Sequence, residues 1–262
     1  MPPSLQNPAR ARLAIVGPGR LGSSLADALR AAPYAAAPLS PGAAGALVAT
    51  ALEIVGPLRR GESTADCDAV LLCVPDAETV NAAAHIEPGP LVGHCSGASG
   101  LDVLAPHEAF SMHPLMTVTA QGADFRGAAA AVDGDTPEAI DFAQALAHRL
   151  QMEPIRVAQA DRGAYHAAAS IASNFLVTLE AAAERLGVSA GLERRMLVPL
   201  VRATVENWAA LGGEHALTGP VARGDQATIE RQRSAVAQRT PELLGLFDAL
   251  ALATRALAAQ PA

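Results

Sequence analysis

In a chain dominated by small and aliphatic residues, a handful of polar side chains are spaced so that they could do chemistry. His113 and Ser96 each sit at or just past the end of an apolar run. Histidine exchanges protons near neutral pH and a serine hydroxyl can hold an oxygen, so this pair suits proton transfer to a carbonyl. His166, Ser170, Ser173 and Asn174 recur at spacings of four, three and one. On an α-helix, His166, Ser170 and Asn174 would share one face. Such a stripe must be satisfied by protein, water or a ligand, and a helix–helix hydrogen-bond network is the competing reading. Arg223 lies in the Gly- and Pro-broken segment from Leu217 to Asp225. Its planar fork suits a substrate carboxylate, although pairing with Asp225 would also occupy it. His85, His94 and His107 read as structural.

A second group of residues suits phosphates. Gly17-Pro18-Gly19-Arg20-Leu21-Gly22 follows the apolar Leu13-Ala14-Ile15-Val16 and opens a helical stretch. The first glycine permits a tight turn, the second leaves room for a pyrophosphate, and the third lets helix and strand approach. The helix N-terminus then directs its free N–H groups at the anion. Further on, Arg59 and Arg60 follow the strand-like Leu52-Glu53-Ile54-Val55. Arginines at that edge accommodate the 2′-phosphate of NADP, whereas an acidic residue would bind the 2′-hydroxyl of NAD. Glu53 is at the beginning of the run, so NADP is preferred. A solvated basic turn is the competing reading.

The elements that must position these groups alternate as strand and helix. Ala69 to Val74 reads as a central strand ended by Pro75, with Asp76 as a cap for a helix from Glu78 to Ala84. Val74, Pro75 and Asp76 would line the cofactor. Leu91 to Gly97 is the next strand, its small residues and Ser96 lying at the nicotinamide end. Ala109 to Pro114, Ala128 to Val132 and Pro154 to Val157 complete the sheet, with a helix from Pro137 to Leu150. Between the first two strands, Ala31 to Ala51 reads as a Pro-broken insertion with a helical turn at Gly45 to Ala51. After Asp161 the strand signal stops. Helices are expected at Arg162 to Leu186, Leu192 to Leu211, Asp225 to Gln238 and Pro241 to Ala258. The fold class is therefore α/β, a doubly wound, mostly parallel sheet over residues 1–159, followed by an all-α domain over 160–262.

Composition excludes several classes. The 262 residues carry a net charge of −7, and their basic residues are scattered, which argues against nucleic acid and a polybasic membrane anchor. All 19 basic residues are arginine, so Schiff-base chemistry and a phosphate-loop lysine are excluded. Only 3% of residues are aromatic, which leaves a core of Ala, Leu and Val. Cys67, Cys73 and Cys95 form no C-x-x-C pair and suit reduced, structural thiols. Residues 1–12 lack the apolar core of a signal peptide, and no run is long enough to span a bilayer. A cytoplasmic protein acting on a small molecule is expected.

Five stretches carry a resemblance. They are the glycine turn from Gly17 to Gly22, Val74-Pro75-Asp76, Phe110 to Leu115, Tyr165-His166 through Asn174, and Thr218 to Asp225. Over nearly its whole length the chain resembles a bacterial family of Rossmann-like candidate oxidoreductases with a C-terminal helical domain of unknown function. The resemblance implies a superfamily that includes ketopantoate reductase, pyrroline-carboxylate reductase, hydroxyacid dehydrogenases and prephenate dehydrogenase. His113-Pro114-Leu115-Met116 looks like the His-Pro-Met motif of prephenate dehydrogenases, with one residue intervening. Asn174 matches the Asn of the Lys…Asn helix motif of hydroxyacid dehydrogenases, and Ser170 stands where the Lys would be, so His113 or His166 must supply the proton.

The resulting expectation is NADPH-dependent reduction of a small, acidic 2-oxo acid such as ketopantoate by a homodimer. His113 would protonate the oxygen, Ser96 and Asn174 would orient it, and Arg223 would hold the carboxylate. Two alternatives remain open: an imine reductase of the pyrroline-carboxylate reductase type, and a non-catalytic NADPH sensor that docks a partner.

Overall fold

The computed structural model describes residues 11–32 and 52–259. The expected insertion between the first two strands therefore lies largely outside the described residues. The chain divides into two compact units, the first ending at Ser170 and the second beginning at Ile171.

The first unit contains β1 (Ala11–Val16), α1 (Arg20–Ala31), β2 (Leu52–Leu58), β3 (Ala69–Leu72), α2 (Thr79–Ala83) and β4 (Leu91–His94), followed by β5 (Ala109–Pro114), β6 (Ala129–Gly134), α3 (Pro137–Arg149), β7 (Glu153–Arg156) and α4 (Arg162–Ser170). The strands form one sheet in the order β2-β1-β3-β4-β5-β6-β7. Every neighbouring pair is parallel except β5 and β6. The strand order turns back at β1, which lies between β2 and β3, and this switch point is where open α/β sheets bind ligands.

Both faces of the sheet are covered, which explains its uninterrupted apolar runs. Leu13 and Ile15 pack with Leu25 and Leu29 of α1 on one side, while Ala14 and Val16 join Val70 and Leu72 on the other. Each fully buried leucine stabilises the fold by roughly 1.5–3 kcal/mol. Leu25 and Leu29, four residues apart on one face of α1, thus fix that helix to the sheet. Thr136 caps α3, its side chain accepting the Ala139 N–H, and Pro137 opens the helix.

Several elements differ from the sequence expectation. β2 runs on through Gly56 and Pro57 to Leu58, because a register irregularity opposite Ala14 and Val16 absorbs the Gly-Pro pair. Asp76 does not cap a helix. It opens a short 3-10 turn, Asp76–Glu78, and its carboxylate is turned to Ser96 instead.

The second unit is helical throughout its described residues. It begins with a π turn at Ile171–Phe175 and continues through α5 (Leu176–Val188), α6 (Arg194–Ala216), α7 (Gly219–Ala222), α8 (Gln226–Arg239) and α9 (Leu244–Ala258). The expected single helix from Arg162 to Leu186 is thus interrupted, and the α-helical period that grouped His166, Ser170 and Asn174 does not run through Asn174. α6 breaks at Gly212, whose φ is 77°. Asp225 caps α8 through the Thr228 N–H, and Arg233 grips Asp248 with two hydrogen bonds of 2.8 and 2.9 Å. No described helix is long and apolar enough to cross a membrane.

Candidate functional site

The glycine turn between β1 and α1 is held on two sides and open on the third. Gly17 has φ 115°, and a Cβ on it would lie 2.3 Å from the Cys73 carbonyl oxygen. A Cβ on Gly22 would lie 2.0 Å from the Gly17 carbonyl oxygen and 3.1 Å from the Cys73 Cβ. Around Gly19, by contrast, a Cβ would meet nothing within 4 Å among the described residues. Gly19 is also the N-cap of α1, with no side chain capping the helix and no acidic residue in its first turn. The turn therefore keeps its N–H groups and positive dipole end for an external anion. An open cavity of about 670 Å³ starts here, lined by Pro18, Gly19, Arg20 and Ser23 and by residues 119–123 opposite.

Arg59 and Arg60 follow directly on the end of β2. Arg60 is ion-paired with Glu78, and the exposed Arg59 guanidinium has no protein partner among the described residues. Val74, Pro75 and Asp76 follow β3 at the same edge of the sheet. This set fits a dinucleotide with an extra phosphate on its ribose: an open, uncapped cradle at Gly19, and a cation beyond β2.

The second centre of the unit forms around the turn after β4. The Ser96 hydroxyl donates to Asp76 Oδ2 at 2.8 Å and accepts the N–H groups of Ala98 and Ser99 at 3.2 and 2.9 Å. It is committed to shaping the turn rather than left pointing at a substrate. His94 is structural: its Nδ1 accepts the Ser96 N–H, so its Nε2 donates to the Gly100 carbonyl at 2.9 Å. Burial keeps it neutral by lowering its pKa. His85 and His107 likewise bind backbone carbonyls, of Asn81 and Ala83.

His113, near the end of β5, has its Nδ1 2.7 Å from the Tyr165 hydroxyl. The two rings meet edge to face, with centroids 5.5 Å apart, and His166 lies 6.2 Å from His113 on the same helix as Tyr165. Burial, reinforced by the charge of His166, lowers the His113 pKa to about 4. Burial raises that of Tyr165. At neutral pH the pair is a neutral imidazole hydrogen-bonded to a neutral phenol. Gly97 passes close beside it: a Cβ there would lie 2.9 Å from His113 Nε2 and 3.0 Å from His166 Cδ2. Only a residue without a side chain leaves both imidazoles in place.

A buried arginine sets this geometry. Arg162, the first residue of α4, reaches into the sheet, where it donates to Ser111 Oγ at 3.0 Å and contacts Asp133 Oδ2 at 3.3 Å. Arg156 binds the other oxygen of Asp133 at 3.0 Å. Arg162 thereby fixes the start of the helix that carries Tyr165, His166 and Ser170 over the strand that carries His113. Sequence reasoning singled out His113 and His166 as candidates but neither Tyr165 nor Arg162. In the second unit, Arg223 is exposed and forms no ion pair among the described residues, because the Asp225 carboxylate is used by Thr228. Asn174 lies in the π turn, its carbonyl accepting the Thr178 hydroxyl.

Comparison with known proteins gives a consistent picture. Residues 3–118 match a Rossmann-like domain, and residues 128–254 match a domain of unknown function, DUF2520. No curated protein sequence matches the chain. Among solved structures, a Thermotoga maritima protein, TM1727, is similar with a TM-score of 0.76 at 22% identity, over 95% of this chain and 100% of that one. A candidate NADP oxidoreductase of Bacteroides fragilis, BF3122, has a TM-score of 0.75 at 20% identity, with the same coverage. A pyrroline carboxylate reductase of Plasmodium falciparum with NADP bound has a TM-score of 0.57 at 13% identity, over 96% of this chain and 99% of that one. The DUF2520 match begins just before β6, so that domain takes in the last two strands as well as the helices. The chain therefore carries a Rossmann-like match followed by a DUF2520 match, in that order.

Proposed function

We propose that this protein is an NADPH-dependent oxidoreductase that reduces a small 2-oxo acid of the ketopantoate kind, with His113 and Tyr165 supplying the proton. The observation that carries the reading is the glycine turn, closed against Cys73 at Gly17 and Gly22 and open only at Gly19. Solved structures of the same fold that are named as NADP oxidoreductases support it. Gly17 to Gly22 and the N-terminus of α1 would hold the pyrophosphate, Arg59 and Arg60 the 2′-phosphate, and Val74, Pro75, Asp76 and the Ser96 turn the remainder. NADPH, when bound, supplies the hydride.

The protein's own residues handle the proton. A histidine with a pKa of about 4 is not an imidazolium at pH 7, so His113 does not act by simple release of a stored proton. Tyr165 donates to Nδ1, which leaves Nε2–H free for the substrate oxygen. His113 passes that proton from Nε2 to the developing alkoxide while Nδ1 takes the Tyr165 proton. The proton source is thus the phenol, with the imidazole as conduit.

The neutral His113 also favours a second reading, reduction of an imine. A protonated iminium brings its own proton and becomes a neutral amine on accepting hydride, so it needs no acid. NADPH oxidation with ketopantoate and with pyrroline-carboxylate separates the two. With a 2-oxo acid, Tyr165→Phe and His113→Ala should each lower kcat by about 100-fold or more. Turnover of the imine alone, with Tyr165→Phe as fast as wild type, would replace the first reading by the second.

A further inference from the structure

Cys73 and Cys95 are the residues immediately after the paired ends of β3 and β4, where Leu72 stands opposite His94. Their sulfur atoms are 3.8 Å apart. Adjacent strands run about 4.8 Å apart, within the Cα separation that a disulfide spans. The remaining thiol, Cys67, precedes β3 and takes no part in this contact. The two thiols differ in exposure, Cys95 being buried and Cys73 half-buried. The Cys73 thiol and burial hold the Cys95 thiol protonated, its pKa pushed well up, so Cys95 can donate its S–H to the Cys73 sulfur. Cys73 is consequently the accessible nucleophile and Cys95 the thiol waiting behind it.

Cys73 is also the residue on which the glycine turn is built. Its carbonyl closes off Gly17, its Cβ lies under Gly22, and its N–H donates to the Val16 carbonyl at 2.7 Å. Joining its sulfur to Cys95 fixes the Cys73 side chain against the end of β4, so the Cβ under Gly22 must turn with it, and the turn has little room to adjust.

We infer that Cys73 and Cys95 are a peroxide-oxidisable pair whose disulfide distorts the Gly17–Gly22 turn and weakens NADPH binding, a consequence that rests on the dinucleotide reading above. The Cys73 thiolate attacks one peroxide oxygen, the O–O bond breaks, and water leaves with a sulfenic acid formed. The Cys95 sulfur then attacks the sulfenic sulfur and a second water leaves. Two thiols lose two electrons and two protons in all, and one peroxide is reduced to two waters.

The test uses the reduced full-length protein, treated with hydrogen peroxide, freed of oxidant, and assayed in parallel for free thiols after denaturation, intact mass and NADPH affinity. The expected result is a fall from three free thiols to one, loss of two hydrogens, no dimer on non-reducing gels, and NADPH affinity weaker by about tenfold, restored by dithiothreitol. Cys95→Ser should form no disulfide and should keep the affinity of the reduced wild type until Cys73 is over-oxidised. Retention of all three thiols, a crosslink through Cys67, or a Cys73–Cys95 disulfide that leaves NADPH affinity unchanged would each overturn the inference. If the reduced protein fails to bind NADPH, the dinucleotide reading falls and the control function with it, while the thiol count still reports on the pair.

Discussion

At the scale of single residues, the proposed proton relay turns on the ionisation of His113. Its pKa falls from 6.5 to about 4 on folding, so the unfolded chain binds the extra proton between those values and the native protein does not. The neutral ring's contribution to stability is full above pH 6.5 and is lost as pH falls toward 4, a change of roughly 3 kcal/mol. Denaturant unfolding followed over that range should show the loss, and His113→Gln should flatten it. Activity should stay level from about pH 6 to 8 and drop only as His113 protonates near pH 4; a rate that rises toward acid pH would mean that the imidazolium is the acid after all. His113 was legible in the sequence because a histidine at a strand end is conspicuous. Tyr165 was not, because its meaning depends on a contact between residues 52 apart in the chain. Ser96 was conspicuous in the sequence at the end of an apolar run, but only the folded turn shows its hydroxyl bound to Asp76 and two N–H groups.

Elements are held in register by buried polar contacts that leave no periodic trace. Arg162 is 3% exposed at its side chain and its partner Asp133 is 19% exposed. Removing one member of a buried ion pair typically costs 3–5 kcal/mol. Arg162→Met should therefore destabilise the protein by about 3 kcal/mol in chemical denaturation, and below the transition it should lower kcat more than it raises KM, because α4 no longer fixes Tyr165 against His113. Equal stability in the variant would remove Arg162 from this positioning role. The strands themselves were readable as elements, since two-sided burial makes an unbroken apolar run, although β3 and β4 end at Leu72 and His94, short of the expected Val74 and Gly97. Two exceptions stand out. The Gly56-Pro57 pair reads as a stop but is absorbed by the irregular register of β1 with β2, and the π turn at Ile171–Phe175 is built from ordinary helix-forming residues.

For the molecule as a whole, Arg162 and Tyr165 tie α4 to the sheet, and the compact unit that holds the sheet runs on to Ser170. The second unit buries few large apolar side chains, Ile229 and Val236 among them, while Phe175, Leu200, Trp208, Leu211 and Leu252 are all more than half exposed. Exposed apolar surface of that extent marks an interaction face, and we propose that a second copy of the chain covers it. Sedimentation should find a dimer, and Trp208→Glu with Leu200→Glu should shift it toward monomer; a wild-type monomer at micromolar concentration would contradict this. Composition made the helical unit legible, but not its partner, since Ala and Leu look alike whether they face a core or another chain. The most direct test of the central claim is titration with NADPH and NADH, following nicotinamide fluorescence, with Gly19→Ala and Arg59→Ala/Arg60→Ala alongside. An alanine at position 19 meets no atom of the described residues within 4 Å, so Gly19→Ala should fold within about 1 kcal/mol of wild type. The expected result is preferential NADPH binding, weakened at least about tenfold by Gly19→Ala and reduced to the NADH level by the arginine pair. No binding of either nucleotide, or NADPH binding that Gly19→Ala leaves untouched, would contradict the assignment of the glycine turn and the reaction built on it.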